Sequence, residues 1–327
     1  GRRKVAALSG FRGIWHAVLL AGCLTGVAVA QETLVIDSGT VVPSSVRQWV
    51  FEGTKVVDGP TGREITLDAA SMQVDPLTDL HVSFDADSPV DRAGHWSVET
   101  VGTYEKSADY RLGGGSGAFR APLGKLVLLP NDKTVFAPNA PLGSMSLDFW
   151  MKPARAESGE IVMLWKSTRK TGKTWQPQQV SCIVMRNRVV FSFMNFFAKP
   201  DGAPYTVSLQ GLSLLVPGVW SHHMIRFSAG TGLVEYVRDG EVEAVAYATS
   251  TGRESGTVYI PQSGESSRLE LAPNYSGLID EFRMTAVARG APRLQKFGKA
   301  GGVATSPVID LGLTNSALLS TVPRTRV

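Results

Sequence analysis

Carboxylates are missing from the start of this sequence: Arg2, Arg3, Lys4 and Arg12 stand there, and the first acid is Glu32. Cysteine is nearly absent as well, with only Cys23 and Cys182 in 327 residues. No CxxC pair exists, which excludes a zinc ribbon or a dithiol redox centre of that type. There is no P-loop, no dinucleotide glycine fingerprint and no nucleophile elbow. Gly113-Gly114-Gly115-Ser116-Gly117 is rich in glycine, but no helix pattern follows to present its N-terminus to a phosphate. Amphipathic helix patterns of twelve or more residues are lacking, which argues against a βαβ architecture. The longest apolar run, Ile14 to Val29, is about 16 residues and broken by His16, Cys23 and Thr25, short of the ~20 a membrane helix needs.

What is present begins with that run. A basic start, an apolar middle and a small-x-small end at Ala28-Val29-Ala30 have the form of a secretory signal, with cleavage after Ala30. Leu20-Ala21-Gly22-Cys23 resembles a bacterial lipoprotein box, so lipidation at Cys23 is the alternative. Either processing exports the protein to the periplasm or cell surface. The whole chain has a formal charge of +4 and a pI of about 9.1. The four basic residues of the leader supply all of that excess, and without them Lys and Arg match the 29 acids. The basic pI is therefore no argument for nucleic acid as a partner.

From Gln31 onward, short apolar or alternating runs are separated by Gly, Pro, Asn and Asp, the pattern of an all-β sandwich or barrel. In Met145–Lys152, Met145, Leu147, Phe149 and Met151 share one face, and Ser146, Asp148, Trp150 and Lys152 the other. Asp239-Gly240 between Leu233–Arg238 and Glu241–Tyr247 is a hairpin signal. Cys182, within Val180–Met185, reads as a small buried hydrophobe. Residues 285–327 carry six basic residues against Asp310 alone, with a linker at Gly298–Gly302. Pro307–Gly312 echoes Leu34–Gly39. The segment after the linker is expected either to add a strand to the main sandwich or to open a further β module truncated at the end of this chain.

Four segments together resemble the laminin-G-like, concanavalin A-like jelly-roll modules of bacteria. Ser144–Pro153 is similar to that group's strand with a central Trp, and Pro217–His223 to its Pro-Gly-x-Trp segment. Leu233–Glu241 is similar to its Tyr…Asp-Gly hairpin, and Ser276–Met284 to its closing Gly-x-Ile-Asp-Glu strand. Leu80 to Gly94 is similar to the opening segment. The resemblance implies a two-sheet antiparallel jelly-roll sandwich over 79–285. Residues 31–78 are then an extra N-terminal β segment, and 286–327 a basic C-terminal extension. It also implies that Trp220 packs in the core and that its neighbouring histidine is hydrogen-bonded, and that a structural calcium is held by Asp280 with Asp85 or Asp87.

Catalysis on sugars would need two carboxyls on one face about 5 Å apart. Asp280 and Glu281 are adjacent and point to opposite faces of a regular strand. Glu241 and Glu243 share a face but follow a turn, as a solvated edge would. His222 and His223 diverge in the same way and do not share a metal. The segment Trp165–Trp175 holds Lys166, Arg169, Lys170 and Lys173, no acid, and a Trp at each end. It is the candidate ligand surface, with Trp165, Arg169, Lys170, Lys173, Trp175 and Phe197 as the residues that grip an anionic glycan or an acidic protein. The expectation is an exported, non-catalytic binding module of the cell envelope whose partner is a glycan or envelope protein. A structural subunit of an envelope or appendage assembly is the alternative, and a glycoside hydrolase the third.

Overall fold

The computed structural model describes residues 71–265 and 268–290, and the backbone of four outlying strands: β1 (Val50–Glu52), β2 (Thr54–Gly59), β3 (Gly62–Leu67) and β20 (Val303–Thr305). The segment expected to direct export, with Cys23, and the residues after 305 lie outside the described residues. The chain divides into two compact units, Gly1–Asp68 with Phe297–Val327, and Ala69–Lys296. In the first unit β1 pairs antiparallel with β20, Val50 opposite Thr305, and β2 pairs with β3. The strand after the Gly-rich linker therefore joins a segment from the other end of the chain and adds to neither large sheet.

The second unit is an all-β jelly-roll sandwich, with no helix among the described residues. One sheet runs in the order β13 (Pro204–Gln210), β12 (Arg188–Ala198), β11 (Thr174–Met185), β10 (Ile161–Thr171), β18 (Leu269–Asn274), β8 (Gly124–Pro130), β5 (Trp96–Gly102), with β17 (Ile260–Pro261) on β12. The other runs β16 (Glu241–Tyr247), β15 (Leu233–Arg238), β14 (Ser221–Phe227), β9 (Met145–Pro153), β19 (Gly277–Thr285), β7 (Ser116–Phe119), β6 (Glu105–Ser107), with β4 (Thr78–Val82) on β19. The pairings within both sheets are antiparallel. The late strands β18 and β19 lie in the middles of the two sheets, so the chain's last sandwich strands close both layers.

Period-two alternation decides which side chains make the core. Met145, Leu147, Phe149 and Met151 of β9 point inward, where Phe191, Phe193, Phe197, Phe227 and Tyr236 meet them from other strands. Burying each such side chain is worth about 1.5–3 kcal/mol. Cys182 is fully buried in this layer, and burial pushes its thiol far up, so it is an inert core residue. The β15–β16 hairpin turns at Asp239 (φ 49°) and Gly240 (φ 87°), two left-handed residues in a row as a tight hairpin needs.

The opposite face of β9 is covered too. Ser146, Asp148 and Trp150 are all buried. The segment between β6 and β7 lies over Trp150. Asp109 accepts a hydrogen bond from Trp220 Nε1 at 2.9 Å and pairs with Lys152. The Arg111 guanidinium sits 4.4 Å from the Trp150 ring centroid. The backbone N–H groups of Arg111 and Leu112 donate to Asp280 Oδ2 at 2.8 and 2.9 Å. Trp220 is thus half-buried and held by Asp109, where the family resemblance implied a core position.

Candidate functional site

Trp165–Trp175 is not a loop. Residues 161–171 and 174–185 form one long hairpin, closed by Gly172 (φ 59°) and Lys173. Alternation along β10 sorts the candidate residues onto two faces. Trp165, Ser167 and Arg169 turn inward and are buried, whereas Lys166, Thr168 and Lys170 are exposed. Trp165 packs edge-on against Phe196, with centroids 5.5 Å apart. Arg169 donates to Gln262 Oε1 and to the carbonyl of Gly202, both at 3.3 Å. Phe197 is fully buried against Phe193, Phe196 and Phe227. Core packing therefore takes Trp165, Arg169 and Phe197 out of reach of a surface ligand.

What remains is compact. Lys170 and Trp175 face each other across the hairpin, and Lys170 Nζ is 5.9 Å from the indole centroid. Trp175 is 49% exposed, an unusual state for the largest apolar side chain. Lys173 in the turn is exposed, and Lys166 is exposed on the same strand face as Lys170 but farther down the hairpin, opposite Gln179. The hairpin tip presents an aromatic platform framed by ammonium groups. Such a surface stacks a flat apolar face and neutralises anionic groups at its rim.

The calcium expectation finds no donor set. Asp85 accepts hydrogen bonds from Ser71 Oγ at 2.5 Å and from the Gly114 N–H at 2.6 Å. Asp280 Oδ2 is taken by the two backbone donors already named, which leaves Oδ1 alone without a hydrogen-bond partner among the described residues. Burial pushes the Asp280 carboxyl well above its ordinary value, and the nearby Glu281 and Asp85 carboxylates add to this. Among the described residues no group of three or more His, Cys, Asp or Glu side chains is arranged to hold a metal ion. Calcium wants six to eight oxygens, and Asp85 with Asp280 does not fit that need.

A bulge in β19 explains the neighbouring acid. The register against β9 slips between Asp280 and Arg283, and Glu281 takes φ 53°. Glu281 then reaches His81 Nε2 at 2.7 Å and accepts the Met72 N–H at 2.8 Å, with both side chains fully buried. Further along, Asp148 lies between Arg283 and His222, whose Nε2 is 3.3 Å away. Burial works against the Asp148 carboxylate, but the His222 hydrogen bond and the Arg283 charge outweigh it and hold its pKa below the ordinary value. His223 points the other way, to Ser221 Oγ at 2.8 Å and Tyr236 OH at 2.7 Å. The two adjacent histidines diverge, as alternation requires. At the β15–β16 hairpin, Glu243 Oε2 accepts the N–H groups of Leu212 and Ser213, while Glu241 is exposed.

No protein-family model matches this chain, and no curated protein sequence matches it. Among solved structures it is similar to domain 4 of AbnA, a GH43 extracellular arabinanase from Geobacillus stearothermophilus, in complex with arabinotriose. That match has 16% identity and a TM-score of 0.44, and covers 67% of this chain and 95% of that one. It is also similar to the binding domain of botulinum neurotoxin DC in complex with SialylT, at 12% identity and a TM-score of 0.44. There it covers 68% of this chain and 50% of that one. The same binding domain in complex with rat synaptotagmin II matches at 12% identity and a TM-score of 0.46, covering 66% and 50%. The chain thus spans about half the length of the neurotoxin binding domains it matches.

Proposed function

We propose that this chain is an exported, non-catalytic binding module of the bacterial cell envelope, of the laminin-G-like type, and that it takes an anionic glycan on the tip of the β10–β11 hairpin. The observation that carries the reading is Trp175, half exposed, with Lys170 over its ring and Lys173 exposed in the adjoining turn. A sugar ring stacks on the indole, and its carboxylate or sulfate groups pair with the lysines. Two features support a role without catalysis. Asp280 and Glu281 are fully buried, and each commits one oxygen, Asp280 Oδ2 to two backbone N–H groups and Glu281 Oε2 to the Met72 N–H and His81. Glu243 is occupied by Leu212 and Ser213, so it is not paired with Glu241 as an acid and a nucleophile would be.

The test is a glycan array probed with the wild-type chain and with Lys170→Ala/Lys173→Ala/Trp175→Ala. Selective retention of carboxylated or sulfated glycans by the wild type, absent in the triple variant, supports the reading. Equal retention by both removes the hairpin tip as the site.

A further inference from the structure

An open groove of about 350 Å³ lies on the outer face of the second sheet, remote in sequence from the Trp175 hairpin. Its floor is a row of residues paired directly across four strands. Lys152 of β9 faces Leu278 of β19, Leu278 faces Ala118 of β7, and Ala118 faces Glu105 of β6. Opposed residues in antiparallel strands share a face, so these four side chains line one trough. Its middle is apolar and low, because the two central residues are Leu and Ala. Leu123 and Pro153 complete the apolar walls.

The charged groups around this trough differ in their commitments. The Lys152 ammonium is taken by Asp109. Arg120 and Glu105 also line the groove and are both exposed, and their side chains make no hydrogen bond or ion pair with any described residue. Arg120 follows the end of β7, two residues beyond Ala118, and Glu105 stands opposite Ala118 in β6, so both border the same part of the groove. An uncommitted guanidinium and an uncommitted carboxylate thus flank one end of an apolar trough.

We infer that this groove binds a small zwitterion with an apolar side chain, a free amino acid or a dipeptide. The ligand carboxylate takes the planar donors of Arg120. Its ammonium group meets Glu105, and its side chain lies over Ala118 and Leu278. The volume stands at the low end of ligand pockets, ~300–1,000 Å³, which suits a molecule of this size. This site is separate from the glycan surface and does not depend on it.

The experiment is calorimetric titration of the full chain with L-leucine and leucyl-leucine, alongside N-acetyl-leucine, which lacks the ammonium, and leucinamide, which lacks the carboxylate. Saturable binding of at least one zwitterion at concentrations up to about 10 mM is expected. Both capped compounds should bind at least tenfold more weakly. Arg120→Ala and Glu105→Gln, each at an exposed position and expected to keep the wild-type melting temperature, should weaken the zwitterion at least tenfold, while Trp175→Ala leaves it unchanged. Tighter binding of the dipeptide identifies a peptide end as the natural ligand, and tighter binding of leucine a free amino acid. The inference is overturned if neither zwitterion binds, if a capped compound binds as tightly, or if the Arg120 and Glu105 variants bind like the wild type.

Discussion

Arg283 holds Asp148 in a two-pronged grip, Nε to Oδ1 at 3.1 Å and Nη2 to Oδ2 at 2.9 Å, beneath the surface of the second sheet. Asp148 is fully buried and also meets His222. Removing the acid alone leaves a buried guanidinium without its counter-charge, which costs about 3–5 kcal/mol. Asp148→Asn should therefore lower the urea midpoint strongly. Replacing both partners with apolar residues, Asp148→Leu/Arg283→Met, should restore much of the loss, because no charge is left unpaired. A double variant less stable than Asp148→Asn would count against this account of the pair.

Burial pushes His223 well below its ordinary pKa, and the Arg238 charge adds to the effect. The sign follows from proton counting. Below about pH 6.5 the unfolded chain takes up a proton at this histidine and the folded chain does not. Stability is then complete above that pH and declines as pH falls below it, by up to ~1.4 kcal/mol per unit for one such group. Urea unfolding at pH 7.5, 6.5 and 5.5 should show the decline, and His223→Gln should flatten it. Equal slopes in the two proteins would assign the pH dependence elsewhere.

Gly277 adopts φ 148°, and a Cβ there would meet the Lys152 carbonyl, the Tyr275 hydroxyl and the Ala154 N–H within 3 Å. Gly277→Ala should cost about 1–3 kcal/mol through this strain. Thermal melting of the variant against wild type checks it, and an unchanged midpoint would mean that the backbone there relaxes freely.

The two tryptophans of the β10–β11 hairpin should separate stability from binding. Trp165→Ala opens a hole in the core and should cost about 3–5 kcal/mol. Trp175→Ala sits at an exposed tip and should change stability by less than about 0.5 kcal/mol. Chemical unfolding of both variants makes the comparison. Similar losses would place Trp175 in the packing and not at the surface.

The fold was legible where a local rule decides it. Met145–Met151 alternates cleanly, and Asp239-Gly240 is a turn by its own conformational preference, so both strands and turn stand where sequence places them. In the hairpin at 165–175 composition groups Trp165 and Arg169 with Lys170 and Trp175, and burial separates them. The period-two rule that works for β9 also separates buried Trp165 and Arg169 from exposed Lys166 and Lys170. Other features are beyond any local pattern. His81 meets Glu281 only because a bulge turns the acid aside, and Asp109 joins Lys152 to Trp220 across the chain. The row from Lys152 to Glu105 exists only once four strands are in register.

The central claim rests on Trp175 and its lysines, and calorimetry with two oligosaccharides of equal length, one carboxylated and one neutral, tests it most directly. The wild type should bind the carboxylated sugar more tightly, and affinity should fall as salt rises through the physiological range. Trp175→Ala should lose at least about tenfold, the ~1.4 kcal/mol expected of a stacked aromatic with a cation beside it. Equal affinity of wild type and Trp175→Ala for the carboxylated sugar would contradict the account.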